Sequence, residues 1–268
     1  MTSSANKKHG RTRLAKCAWL LTFYLLLSAS AGRATDLSFT NLVAEGELAE
    51  HQSNVIAALK FYSAADRITT TNCADLCLLA RRYCDLMYLA SSPDTQKNLA
   101  ERALDCSLRA VKADTKNATA HLCVAVSYAK NFPYANNETT VNWSKAMKSE
   151  CEIALALDPK QDIGYYLLGR WHVGVANMNF FLKALVKVVY GGLPKASNEQ
   201  AIHYFKQAVE LKPDRIIHHF ELAKVYEAVG EKKLARTELE KCRALKPVDR
   251  DDVDAQGEAA KQLTATGG

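Results

Sequence analysis

Two segments near the C-terminus constrain the fold more than any other feature of the chain. AIHYFKQAVELKPD (residues 201–214) and ARTELEKCRALKPV (235–248) lie 34 residues apart. They match Ala201 with Ala235, Phe205 with Leu239, Ala208 with Cys242 and Pro213 with Pro247. Steps of four and three residues put the first three positions of each set on one face of a helix. The proline then ends the segment, because it cannot continue a helix and biases the preceding residue away from helical geometry. A helix with one apolar stripe must cover that stripe with a neighbour, so a recurring unit of this kind builds a stack.

Each such helix is preceded by another, which carries an apolar residue, a large and a small residue side by side, then an aromatic or histidine three positions on. In the last unit these are Leu222, Ala223 and Tyr226, before Ala235, Leu239, Cys242 and Pro247. Stepping backward, Tyr165, Leu168, Gly169 and His172 precede Ala201, Phe205, Ala208 and Pro213. His121, Val124, Ala125 and Tyr128 precede Met147, Cys151, Ala154 and Pro159. Leu76, Leu79, Ala80 and Tyr83 precede Ala103, Ser107, Ala110 and Thr115, and Leu42, Gly46 and Ala49 precede Ala58, Tyr62, Ala65 and Thr70. The small residue lets two antiparallel helices approach to about 8–10 Å.

These positions resemble the tetratricopeptide repeat family, whose unit is about 34 residues long. The resemblance implies an all-α, right-handed solenoid of about five helix pairs spanning residues 35–248, and the acidic start of 249–268 reads as a capping helix followed by a disordered tail. The landmarks Thr70, Thr115, Pro159 and Pro213 are spaced 45, 44 and 54 apart, so insertions of 11, 10 and 20 residues fall in units two, three and four. The fourth unit, YYLLGRWHVGVANMNFFLKALVKVVYGGLPKAS and the helix after it, is similar to the regulator of microtubule dynamics proteins, with their Leu-Gly-Arg-Trp motif at 168–171. That likeness implies an extended first helix. It also implies a role seen in members that associate with microtubules or sit on organelle membranes; exported bacterial relatives of unassigned function belong to the same group.

Residues 1–34 have a different character. Lys7, Lys8, Arg11, Arg13 and Lys16 precede an apolar run at 17–31, and Ala29, Ala31 and Ala34 supply small residues for a signal peptidase. The run is roughly 15 residues, short of the about 20 that a spanning helix needs. This reads as an export signal, periplasmic or secretory, with a short membrane anchor as the alternative. The chain has 35 basic and 29 acidic residues, and loss of residues 1–31 leaves 30 against 29. A nearly neutral mature chain gives no basis for nucleic-acid binding. Of eight cysteines, seven remain after loss of Cys17, an odd number that leaves a thiol unpaired in a monomer.

The candidate binding residues follow the small slot of the first helices. Arg81, Arg170 and Lys224 each come one position after it, a step of about 100° that turns them from the partner helix toward the concave surface. Tyr166 and Phe220 lie three or four positions earlier, as does Cys77. Together Arg81, Tyr166, Arg170, Phe220 and Lys224 define a groove for a carboxylate or an acidic extended segment, since guanidinium groups match carboxylates in geometry. The bland alternative is a solvated face with ordinary pairing to Glu221 or Glu227.

Other constellations carry less chemistry. Cys73, Cys77 and Cys84 share a helix face but extend along about 16 Å of helix, too far to meet at one ion. They read as small packing residues, with a disulfide from Cys77 or Cys84 to Cys106 left open. Phe180 to Pro194 is apolar on most of its circumference and is expected to be buried within the fold. No catalytic motif, metal site or cofactor site is expected, and the histidines fill repeat slots or point to separate faces. The reading is a noncatalytic, exported scaffold that binds a protein or peptide. One alternative is a membrane-anchored regulator of microtubule dynamics or organelle contact; another is a cysteine-based metal or redox protein.

Overall fold

The computed structural model describes residues 38–69 and 71–265. The export or anchor segment (1–34), the landmark Thr70 and the last three residues of the tail lie outside the described residues. Among the described residues the fold is all α. The helices are α1 (Phe39–His51), α2 (Val55–Ile68), α3 (Cys73–Met87), α4 (Pro93–Ala113), α5 (Ala118–Asn131) and α6 (Asn137–Leu157). They continue with α7 (Asp162–Ala176), α8 (Phe180–Tyr190), α9 (Asn198–Leu211), α10 (Ile216–Ala228), α11 (Lys232–Ala244) and α12 (Arg250–Ala265).

Local sequence sets most of the starts. Ser38, Asn54, Asn72, Asn117, Asn136, Asn179 and Ser197 each accept a first-turn N–H on the side chain. Such caps satisfy donors that have no partner within the helix. Pro159, Pro213 and Pro247 fall two or three residues beyond the ends of α6, α9 and α11.

Five pairs stack serially: α1 with α2, α3 with α4, α5 with α6, α7 with α9, and α10 with α11. Each unit then touches the next, and α12 covers the exposed side of the last pair. The buried side chains form successive clusters along the stack, as expected of a nearly one-dimensional architecture. The landmark residues of the second helices are all buried: Ala58, Tyr62 and Ala65; Ala103, Ser107 and Ala110; Met147, Cys151 and Ala154; Ala201, Phe205 and Ala208; Ala235, Leu239 and Cys242. Glycine is required where the partner is an aromatic ring. A Cβ on Gly46 would lie 2.3 Å from the Tyr62 ring.

The insertions take two forms. In units two and three they lengthen the second helices, α4 and α6, to 21 residues each. In unit four the expected extension of the first helix does not occur. The chain bends by 104° after Ala176 and forms the separate helix α8. Asn177 and Asn198 exchange side-chain amide hydrogen bonds of 3.1 and 3.2 Å, so the insertion leaves and rejoins the stack at one point. The burial expected of the 180–194 run also fails: within α8 only Val186 is buried, because α9 takes the place against α7.

Candidate binding groove

Of the candidate residues, Tyr166 and Arg170 of α7 interact with each other and with Glu221 of α10, the partner of Lys224, whereas Arg81 of α3 stands apart. Tyr166 sits at the centre of α7's contribution. Its hydroxyl accepts a hydrogen bond from Arg170 Nη1 at 3.2 Å, and the guanidinium carbon stands 5.8 Å from the ring centroid. The same ring is 5.4 Å from His218 and 6.3 Å from Phe205. Burial pushes the Tyr166 hydroxyl up to about 12, with Glu221 and Asp251 adding to the shift and Arg170 opposing it. Burial works to lower the Arg170 pKa, yet Tyr166, Glu221 and Asp251 hold it above the ordinary value. Arg170 therefore remains a permanent cation beside two carboxylates.

Lys224 lies 5.4 Å from the Phe220 ring, and its ammonium meets both oxygens of Glu221 at 3.1 Å. This is the ordinary pairing that the sequence left open, so Lys224 is a neutralised cation. Arg81 is exposed on α3, and its charge acts on Cys77 and Asp85 rather than on the Tyr166 cluster.

Three further residues complete the surface and were missed by sequence reasoning. The Tyr88 hydroxyl donates to Asp251 Oδ1 at 2.5 Å, across 163 positions, and accepts from Lys130 Nζ at 2.6 Å. Lys130 also stands 4.4 Å from the Tyr88 ring centroid. Burial, then the bond to Asp251, raises the Tyr88 pKa well beyond the ordinary tyrosine value, which keeps the hydroxyl a donor. The curvature of the stack thus brings α12 opposite the end of α3. Tyr88, Lys130 and Asp251 come from two different units and the cap and occupy no common repeat slot, so periodicity offered no signal for them.

Six of the seven described cysteines are buried packing residues, and the disulfide left open between Cys77 or Cys84 and Cys106 is not formed. The seven described cysteines are free thiols. The neighbour of Cys77 is Cys123 on α5, whose Sγ lies 3.8 Å from the Cys77 carbonyl oxygen, whereas Cys106 faces Asp66 on α2 at 3.7 Å. Burial pushes Cys73 up to about 11, and Cys84, Cys151 and Cys242 to about 12. Thiols held this high are poor nucleophiles and poor metal ligands. Asp66, Asp105 and Cys106 converge within 4.8 Å, but Arg109 Nη1 already sits 2.7 Å from Asp66 and 3.0 Å from Asp105. The guanidinium also donates to the Thr69 carbonyl at 2.8 Å, making the cluster an ion-pair link between α2 and α4.

The histidines serve the stack. His121 places Nδ1 2.5 Å from Glu150 and Nε2 3.0 Å from the Thr115 carbonyl. His219 repeats the arrangement with Glu238 at 2.6 Å and the Pro213 carbonyl at 2.9 Å. Each ring ties the end of one unit to the second helix of the next. His218 in turn contacts Asp162 of α7 at 2.8 Å.

Serially stacked helix pairs with small residues at their crossings, and an inner surface built from first helices, define a tetratricopeptide-type solenoid. The crystal structure of a thermophilic TPR protein from Thermus thermophilus superimposes with a TM-score of 0.59 at 18% identity, covering 85% of this chain and all of that one. The family description "Regulator of microtubule dynamics protein 1-3" matches residues 41–267, and the chain belongs to that family. Similar curated relatives include mouse Regulator of microtubule dynamics protein 2, 28% identical over 190 residues that cover 70% of this chain and 46% of the relative. Mouse Regulator of microtubule dynamics protein 1 is 28% identical over 188 residues, covering 69% and 62% respectively. The match therefore spans about half to three-fifths of these relatives.

Proposed function

We propose that the chain is a noncatalytic scaffold, exported by its N-terminal segment, whose inner surface binds an acidic segment of a protein or peptide. The observation that carries the reading is the seating of a carboxylate there already: Tyr88, supported by Lys130, holds Asp251 of the chain's own C-terminal helix. Arg170 lies within electrostatic reach of the same carboxylate. With the one Tyr88 proton committed to Asp251, the cations Lys130 and Arg170 on either side are the groups suited to a second carboxylate arriving on an extended segment. Tyr166 supplies the ring beside it, while Phe220 is buried in the core behind, Lys224 is paired with Glu221, and Arg81 stands apart from the cluster.

A fluorescent polyglutamate peptide tests this by anisotropy. Wild-type protein should bind it in a salt-sensitive manner, and charge reversal at Lys130 and Arg170 (both →Glu) should abolish binding while helicity is kept. Asp251→Asn, by removing the resident carboxylate, should tighten binding several-fold. Equal affinity in all three proteins would refute the groove. Edman sequencing of the mature N-terminus tests export: a chain that starts near residue 32 or 35 supports it, and retention of residues 1–34 opposes it.

A second reading follows from family membership. The relatives are named for regulation of microtubule dynamics, and a chain retained on a membrane by residues 17–31 would place the groove at an organelle surface. Co-sedimentation with polymerised tubulin, whose surface is acidic, decides between the two readings. Pelleting that is lost in the Lys130/Arg170 charge-reversal protein favours this one.

A further inference from the structure

We propose that α8 is a docking helix that lays its apolar face on an anionic membrane surface. The inference concerns a site separate from the groove, built by the insertion of unit four. Its anchoring is firm. Asn177 and Asn198 pin the base, Asn179 Oδ1 caps the helix by accepting from Leu182 N at 2.8 Å, and Lys145 of α6 donates to the Tyr190 carbonyl at 2.9 Å. Val186 is the only residue of α8 that is buried against the protein. The helix is therefore presented at an angle to the stack rather than folded into it.

What it presents is unusual for a solvent-facing surface. Phe180 is 78% exposed, Phe181 83% and Val188 84%, with Leu185 and Val189 more than half exposed. At about 100° per residue these five side chains spread over roughly half the helix circumference. A contiguous apolar surface of this kind marks an interaction site. Lys183 and Lys187 border it on one side, and with Lys195 they line a cavity of about 320 Å³ beneath the helix.

Charge decides the occupant. Between Asn177 and Asn198 the chain has three lysines and no Asp or Glu. A second copy docked face to face would gather two lysine sets at one seam, with no carboxylate in either insertion to meet them. An anionic bilayer accepts both features at once: the aromatic and aliphatic side chains enter the headgroup boundary while Lys187, at the edge of that face, meets lipid phosphate and Lys183 stays bonded to the Ala176 carbonyl at 2.6 Å. A short helix with aromatic and aliphatic residues on one face and lysines on the other suits that plane.

The test uses the full chain and two vesicle compositions, phosphatidylcholine alone and phosphatidylcholine with phosphatidylserine. Because residues 17–31 can themselves partition, the readout is local. Phe181→Trp should add fluorescence that shifts to the blue and is quenched by brominated lipid chains, in the anionic vesicles and beyond the wild-type signal. The triple substitution Phe180→Ser, Phe181→Ser, Val188→Ser removes exposed side chains only, so circular dichroism should be unchanged. Partitioning into anionic vesicles should fall roughly a hundredfold from the apolar area lost. No added quenching from Trp at 181 would overturn the proposal, as would equal partitioning of the triple variant. A concentration-dependent dimer abolished by the same three substitutions, without vesicle quenching, would also overturn it and assign the face to a second copy.

Discussion

The ring of Phe205 occupies the space that a side chain on Gly169 would need: a Cβ there would lie 2.7 Å from Phe205 Cε1. Phe205 is fully buried on α9, so its ring cannot retreat. Gly169→Ala gains about 1 kcal/mol of helix propensity but incurs an overpacking cost of about 1–3 kcal/mol. The expected result is a net loss of about 1 kcal/mol in urea unfolding, recovered when Phe205→Leu is added. Gly257, exposed on α12 with open space around it, is the control. There Gly257→Ala should stabilise by about 0.5–1 kcal/mol.

That contact was legible in the sequence because it is local in phase: the small slot recurs in every unit, and in units one, four and five a bulky residue, Tyr62, Phe205 or Leu239, stands at the matching position of the second helix. The position of α8 was not. Periodicity shows that a run is apolar but not which neighbour has already claimed the place beside it, and α9 packs on α7 instead. Tyr88 of unit two and Asp251 of the cap meet across units three to five, a closure that no single repeat encodes. The paired histidines did leave a signal. His121 and His219 each follow a unit-ending landmark, Thr115 or Pro213, by six residues.

The cap depends on one buried carboxylate. Asp252 is fully buried, accepts from Ile217 N at 3.0 Å and Val248 N at 3.2 Å, and has Arg215 Nε 3.7 Å away. Asp252→Ala strands these donors, a loss of about 2–4 kcal/mol. Hydrogen exchange should show protection lost through α12 while the Asp66–Arg109 link between α2 and α4 stays protected, since opening in a solenoid is local. Uniform loss along the whole chain would contradict this nearest-neighbour picture.

Acid should loosen the last units. Burial works to raise the Glu238 pKa, but hydrogen bonds from His219 and Lys241 hold it below its ordinary 4.5. Asp162, bonded to His218, is likewise depressed below 3.8 despite burial. Groups with folded values below their unfolded ones bind fewer protons when folded, so the stability they contribute is present above about pH 4.5 and is lost as pH falls through the folded values. Chemical denaturation between about pH 6 and about pH 3 should show the decline, and Glu238→Gln should flatten it at the cost of lower stability at the upper end. An unchanged slope in the variant would remove Glu238 from the account.

The thiols offer the sharpest separation between a packing role and redox chemistry. Cys73 is partly exposed and pushed up to about 11, while Cys84, Cys151 and Cys242 are buried and pushed to about 12. Only the thiolate reacts with maleimide or disulfide reagents, so both access and ionisation are withheld at neutral pH. Among the described cysteines, peptide mapping after brief labelling should find Cys73 modified slowly and the others only at the rate of unfolding. Cys77 and Cys123 are the critical pair, being neighbours on adjacent first helices. Rapid labelling of either, or a Cys77–Cys123 disulfide peptide recovered from native protein after mild oxidation, would show that these sulfurs are more than small apolar fillers between stacked helices.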